Sequence, residues 1–263
     1  MEISESILNY REQGDGERAV LLCHGLFGQA SNLGPVAREL ATDYRVITVD
    51  MRNHGRSFHS AVMTYPAMAG DLIRLMDHLQ LDRADLVGHS MGGKAVMEAA
   101  LMVPDRVRSL IVADIAPVAY APHHQTVFEA LAAADAPAID RQQAESILGG
   151  HLQEAAVAMF LLMNRYRSQS GDWQWRFNLP VLQSEYAHIV AAPATANRYH
   201  GPTLFIKGDQ SDYILPAHQA QTLALFPAAR LKVIAGTGHW LHAEKPLLFN
   251  RIVKQTLAAT PLS

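Results

Sequence analysis

The sequence predicts an α/β protein: a mostly parallel central sheet flanked by helices, with a helical segment inserted late in the chain. Three observations carry this. Short apolar runs alternate with helical stretches through the first 117 residues and again after residue 200. One of those runs, Asp85-Leu86-Val87, passes through Gly88-His89-Ser90-Met91-Gly92 straight into a helical stretch. Between residues 118 and 200 the alternation stops, and more than 80 residues without a strand is too long for a crossover connection. The expected division is a core of residues 1–117 and 201–263, with residues 118–200 as a helical cap over the carboxyl edge of the sheet.

Taken in order, Ile7 to Arg11 and the apolar Ala19 to Cys23, joined by a polar Gly14-Asp15-Gly16 turn, read as a hairpin feeding the sheet. The second of these runs ends in His24-Gly25-Leu26-Phe27-Gly28, a loop whose glycines let backbone N–H groups approach a ligand. Asn32 to Leu40 is helical and Arg45 to Val49 is a strand. The polar loop Asp50-Met51-Arg52-Asn53-His54-Gly55-Arg56-Ser57 follows, in which Asp50, Arg52 and Ser57 are expected to tie the loop's own backbone together. Tyr65 to Leu79 carries Met68, Leu72, Leu75, Met76 and Leu79 at helical spacing, so it packs on the sheet.

The stretch Asp85 to Leu101 organises the rest. A strand–turn–helix with serine at its apex holds that residue near positive φ, and Gly88 and Gly92 supply the missing Cβ atoms the turn needs. Gly93, Ala95 and Ala99 let the following helix lie close to the sheet. Val107 to Ala113 is the next strand and ends in Asp114-Ile115-Ala116-Pro117. The inserted segment contains helical runs at Thr126 to Ala133, Arg141 to Leu148 and Ala155 to Met163. Its aromatic patch Trp173-Gln174-Trp175-Arg176-Phe177 alternates as an extended segment would. The sheet resumes at Thr203 to Lys207 and finishes at Arg230 to Ile234, with helices at Ala217 to Phe226 and Pro246 to Leu257.

Composition excludes several classes of function. With 263 residues, 49% hydrophobic, 18% charged and a formal charge of −3, the chain lacks the basic field that holds nucleic acid or a membrane surface. The N-terminus has no basic start followed by an apolar core, and no uncharged apolar run approaches the ~20 residues that span a bilayer, so a cytoplasmic location is expected. Cys23 is the single cysteine, which rules out an internal disulfide and suits a reducing compartment. Its place in an apolar run marks it as a buried strand thiol.

Three chemically capable sites fall at carboxyl ends of parallel strands, where open α/β sheets place their ligands: the His24-Gly25 loop, Ser90 and His239. A serine hydroxyl needs a base before it attacks, and an imidazole titrating near pH ~6.5 is one. His239, in Gly236-Thr237-Gly238-His239-Trp240, is the candidate base. The expected oxyanion donors are the backbone N–H groups of Leu26 and Met91, and Phe27, His89 and Trp240 are candidate substrate contacts.

Together His24-Gly25-Leu26-Phe27-Gly28, the Asp50 to Ser57 loop, Gly88 to Lys94 and Gly236 to Trp240 resemble, in order and over essentially the whole chain, the α/β-hydrolases. More closely, Gly88 to Ala95 with Asp114 to Pro117 is similar to the bacterial YbfF-type esterases and their mitochondrial relatives. The resemblance implies a serine hydrolase of carboxylic esters or thioesters of small acyl groups, acting through an acyl-enzyme without cofactor. It also implies where the acid stands. Most of that superfamily carries Asp three residues after a strand-terminal glycine; counted from Gly208, that slot holds Ser211, with Asp209 and Asp212 on either side. The YbfF-like group resembles this chain in offering Asp114 instead, with Asp212 as the rival.

Acyl transfer, carbon–carbon bond hydrolysis and a non-catalytic ligand-binding module on the same fold are the alternatives. Dehalogenase and epoxide hydrolase chemistries want Asp where Ser90 stands. No metal site is expected, because adjacent His123 and His124 cannot both face one site from a regular element. Were the leaving group coenzyme A, Lys94, Arg165, Arg167 or Arg176 would be the residues to meet its phosphates.

Overall fold

The computed structural model describes residues 6–261. Met1 to Glu5, read above for a targeting signal, lie outside them. The strands are β1 (Tyr10–Gln13), β2 (Ala19–Cys23), β3 (Arg45–Val49), β4 (Ala84–His89), β5 (Val107–Ala113), β6 (Arg165–Arg167), β7 (Trp173–Trp175), β8 (Thr203–Gly208) and β9 (Ala229–Ile234). The α-helices are α1 (Gly34–Leu40), α2 (Tyr65–His78), α3 (Met91–Met102), α4 (Gln125–Ala133), α5 (Arg141–His151), α6 (Ala155–Leu162), α7 (Leu179–Ser184), α8 (Tyr186–Val190), α9 (Gln219–Leu225), α10 (Leu241–Glu244) and α11 (Pro246–Ala258).

Seven strands form one sheet in the order β1-β3-β2-β4-β5-β8-β9, parallel throughout except for β1. The hairpin expected between Ile7 to Arg11 and Ala19 to Cys23 does not form; β1 pairs antiparallel with β3, Tyr10 opposite Val49 and Gln13 opposite Val46. The reason is burial. Every residue of β2 is inaccessible to solvent, as in a central strand of a doubly covered sheet, and both its edges are occupied, by β3 and β4. Only the outer side of β3 is left for β1.

Alternation along the strands feeds two layers. Val20, Leu22, Val46, Val87 and Ile111 face α1 and α11, while Leu21, Cys23, Ile47, Leu86 and Val112 face α2 and α3. Helix α3 is buried from Met91 to Leu101, wedged between the sheet and α2. At the amino end of β4, Arg18 grips Asp85 through two hydrogen bonds of 2.5 and 2.8 Å and donates to the carbonyls of Leu257 and Thr260, fastening α11. Burial of Cys23 is complete and raises its thiol pKa, so it is an inert core residue.

Residues 118–200 contribute nothing to the main sheet; they hold α4 to α8 and the two-stranded ribbon of β6 and β7. Trp175 and Phe177 are buried there and stacked at 5.4 Å. Among the described residues no helix is long and apolar enough to cross a membrane.

Candidate active site

Register brings the chemistry to one edge. His89 and Ala113 are paired on β4 and β5, so the next residues of the two strands, Ser90 and Asp114, emerge side by side; Ser90 N donates to Ala113 O at 3.0 Å and Asp114 N to Ile206 O at 2.8 Å. Both carry positive φ, 53° and 52°. At Ser90 this is the strained elbow. A Cβ at Gly88 would collide with the Gly92 carbonyl, and one at Gly92 with the carbonyls of Cys23 and His24, so neither position admits a side chain.

His239 arrives on the loop after β9. Its Nε2 lies 3.0 Å from Ser90 Oγ and its Nδ1 2.8 Å from Asp114 Oδ2. A neutral imidazole satisfies both: Nδ1–H donates to the carboxylate and Nε2 accepts from the hydroxyl. The ring stacks on Tyr213 at 4.1 Å on one side and meets His89 at 4.7 Å on the other. His89 Nε2 donates to the His239 carbonyl at 2.9 Å, fixing the loop's backbone as well as its ring. Asp114 is fully buried and accepts from Gly208 N at 3.1 Å and from the Ser211 hydroxyl. Asp212, the rival acid, is exposed and makes no contact with His239.

The donors expected for an oxyanion are free. Among the described residues neither Leu26 N–H nor Met91 N–H has a hydrogen-bond partner, and both residues border the cavity in front of Ser90. Met91 is the first residue of α3, whose N–H cannot be satisfied within the helix. The loop around Leu26 is held by residues that the sequence reading left unassigned. Phe27, at φ 58°, donates its N–H to His54 Nε2 at 3.1 Å and accepts at its carbonyl from Asn164 Nδ2 at 2.7 Å. His54 turns its other nitrogen to Arg52 O at 2.9 Å, and His24 does the same between Met51 N and Gly25 O, at 3.0 and 2.8 Å. Each ring accepts from a backbone N–H, which requires the neutral form. Burial enforces it, lowering His24 and taking His54 down to about 3.

The Asp50 loop is tied together only partly as expected. Asp50 accepts from Ala30 N, Arg56 N and Asn9, and Ser57 Oγ donates to Asp50 O. Arg52 instead reaches out to Asp71 of α2 with bonds of 2.5 and 2.7 Å.

Two cavities meet at Ser90. The larger is bordered by His239, Trp240, His242, Phe27, His89 and Phe160. All three expected substrate contacts, Phe27, His89 and Trp240, therefore lie on it. The smaller runs under Met91 toward Lys94, Tyr65, Tyr120 and Tyr186. Trp173, Trp175 and Phe177 border neither. His123 and His124 do share a wall of the smaller cavity, contrary to the expectation, because they lie in the irregular stretch before α4; among the described residues no three metal-ligating side chains converge. Of the basic residues named for phosphates, Arg167 is exposed and Arg176 half-buried, and two are withdrawn from solvent. Lys94 and Arg165 are buried, Arg165 on the carbonyls of Ala136 and Ile139, and Arg176 lies over the Tyr166 ring.

Comparison with known proteins agrees with the fold. The family model described as alpha/beta hydrolase fold matches residues 18–246. Esterase YbfF of Escherichia coli (strain K12) is 46% identical over 240 residues, covering 90% of this chain and 92% of its own. The sn-1-specific diacylglycerol lipase ABHD11 of Mus musculus is 39% identical over 249 residues, covering 91% and 81%. Among solved structures, a marine microorganism esterase superposes with a TM-score of 0.93 at 34% identity, covering 95% of this chain and 99% of that one.

Proposed function

This chain belongs to the alpha/beta hydrolase family, and from that premise we propose that it is a carboxylic ester hydrolase working through an acyl-enzyme on Ser90. What supports the reading most is the unbroken relay from Ser90 Oγ through His239 to Asp114, at 3.0 and 2.8 Å, facing a cavity with two unengaged N–H groups. Relatives named esterase and lipase at 39–46% identity point the same way.

His239 Nε2 takes the hydroxyl proton as Ser90 attacks the acyl carbonyl. The carbonyl oxygen becomes an oxyanion under Leu26 N–H and Met91 N–H, each donor worth about 3 kcal/mol of barrier. Asp114 holds the imidazole in the tautomer that presents Nε2 to Ser90 and stabilises the cation formed. His239 then gives its proton to the leaving alcohol or thiol, and a water molecule repeats the cycle on the acyl-enzyme. Residues 118–200 act as a cap that walls both cavities and so selects the substrate, a small-molecule ester or thioester. The site of action is the cytoplasm, in keeping with the single buried thiol.

The test is hydrolysis of p-nitrophenyl esters by wild type and Ser90→Ala, with mass spectrometry after a fluorophosphonate. Loss of turnover in Ser90→Ala and one adduct on Ser90 are expected. Equal turnover by the two proteins would leave only a ligand-binding module of hydrolase shape.

A further inference from the structure

The two cavities that meet at Ser90 are not equivalent once the direction of proton transfer is considered. His239 must deliver a proton to the departing oxygen or sulfur, so the leaving group lies on the side walled by His239, Trp240 and His242, the larger cavity. The acyl chain stays on Ser90 beside Met91 N–H and extends into the smaller one.

Most of the polar atoms along that second wall are spent elsewhere. Tyr65 donates its hydroxyl to Ile189 O and Tyr120 to Tyr213 O, each at 2.5 Å. Lys94 is different. It follows Ser90 by one helical turn on the same face of α3, and both residues border the smaller cavity. It is 1% exposed. Nζ donates to Val190 O at 3.1 Å and Ala191 O at 2.5 Å, which leaves one of its three N–H groups. The Tyr120 and Tyr65 ring centroids lie 4.5 and 5.5 Å away.

Among the described residues no carboxylate pairs with it. Glu98, one turn further along α3, is engaged by Ala194 N and by Thr195 through its N–H and hydroxyl. Burial alone therefore acts on the ammonium and pulls its pKa down to about 7. Carbonyl dipoles and ring faces offset part of the cost of a buried cation, and a counter-charge is what is missing.

We propose that Lys94 is a specificity-determining residue for the acyl half of the substrate: the smaller cavity receives a short acyl chain that ends in a carboxylate, and that carboxylate pairs with the Lys94 ammonium. This rests on Ser90 being the nucleophile. The preferred substrates are then half-esters or half-thioesters of short dicarboxylic acids, and the product is the free diacid.

Monoethyl succinate and ethyl 4-methylpentanoate differ in having a carboxylate or an isopropyl group at the chain end, and the test compares their kcat/KM. Wild type is expected to favour the half-ester by at least about tenfold, the scale of one charge-assisted hydrogen bond. Lys94→Met is expected to lower that ratio by at least about tenfold, and Lys94→Arg to keep most of it. Calorimetry on Ser90→Ala adds an arm free of turnover: succinate should bind it and should not bind the Ser90→Ala, Lys94→Met double variant. A wild-type preference for the neutral ester, an unchanged ratio in Lys94→Met, or no succinate binding to Ser90→Ala overturns the proposal. If Lys94→Met does not fold, the wild-type ratio and the succinate titration decide. Ser90-dependent hydrolysis of the neutral ester with no succinate binding sinks only the Lys94 assignment, whereas hydrolysis that survives Ser90→Ala sinks the nucleophile.

Discussion

The hydroxyl of Ser211 donates to the carboxylate of Asp114, from the very position where most of the superfamily resembled by this sequence carries the acid itself. Asp114, the proposed acid, stands at the end of β5, and Ser211, in the other slot, is its donor. Asp114→Asn should lower kcat by about 10⁴-fold, because the amide stabilises the wrong imidazole tautomer. Ser211→Ala removes one of the donors on the carboxylate and should cost about tenfold in kcat. Asp212→Asn, at an exposed position, should stay within about twofold. Steady-state kinetics on one p-nitrophenyl ester decides; collapse at Asp212 with a mild effect at Asp114 would move the acid.

The Phe27 peptide is clamped from both sides, by His54 at its N–H and Asn164 at its carbonyl, and it follows Leu26 directly. Loosening it tilts a donor that matters only when the oxyanion forms. His54→Ala and Asn164→Ala should therefore lower kcat by about 10- to 100-fold with KM within about threefold, less than outright loss of an oxyanion donor. A rise in KM with kcat intact would mean that the clamp shapes ground-state binding instead.

Acid should unfold this protein early. His54 and His124 are held down to about 3 and His242 to about 4, with His24 and His89 also lowered, all chiefly by burial. Above the unfolded pKa of 6.5 these rings are neutral in both states and cost nothing. Below it the unfolded chain takes up protons that the folded one refuses, so stability falls as pH drops, by up to about 1.4 kcal/mol per pH unit for each ring. Carboxylates titrate lower, near pH ~4, which leaves the window from about 6.5 to 5 to the imidazoles. Urea midpoints at pH 7.5 and 5 should differ clearly; equal midpoints would mean that the rings are protonated in the folded state.

Glu98 is fully buried in an apolar helix and accepts from Ala194 N at 2.7 Å, Thr195 N at 3.1 Å and Thr195 Oγ1 at 2.6 Å. Glu98→Ala strands those donors and opens a void, so it should destabilise by roughly 3 kcal/mol in urea melts. Glu98→Gln keeps one acceptor oxygen and should lose less.

Sheet strands, flanking helices and the Ser90 elbow were legible because each depends on local pattern: apolar runs of strand length, helical spacing, and glycines where a backbone passes. Pairing of β1 was not, since adjacency and a Gly-Asp-Gly turn suggest a hairpin, whereas the burial of Ala19 to Cys23 on both faces reserves that strand for parallel neighbours. Lys94 was legible only as a charge that could meet a phosphate, and Glu98 carried no signal. Both stand four residues apart in an otherwise apolar helix, and each is buried and turned to a different partner. Asn164 left none, because nothing near it in sequence marks an amide that reaches a carbonyl 137 residues away.

Both stems of the inserted segment are made fast. Tyr120, on its inbound side, donates its N–H to Val190 on the outbound side at 2.9 Å, and the same outbound stretch is gripped by Lys94 and Glu98 of α3. At the opposite lip of the cavity Phe160 of α6 rests 5.8 Å from Trp240. Widening the cavity there takes the parting of two rings, not a swing of the whole lobe about its anchored stems.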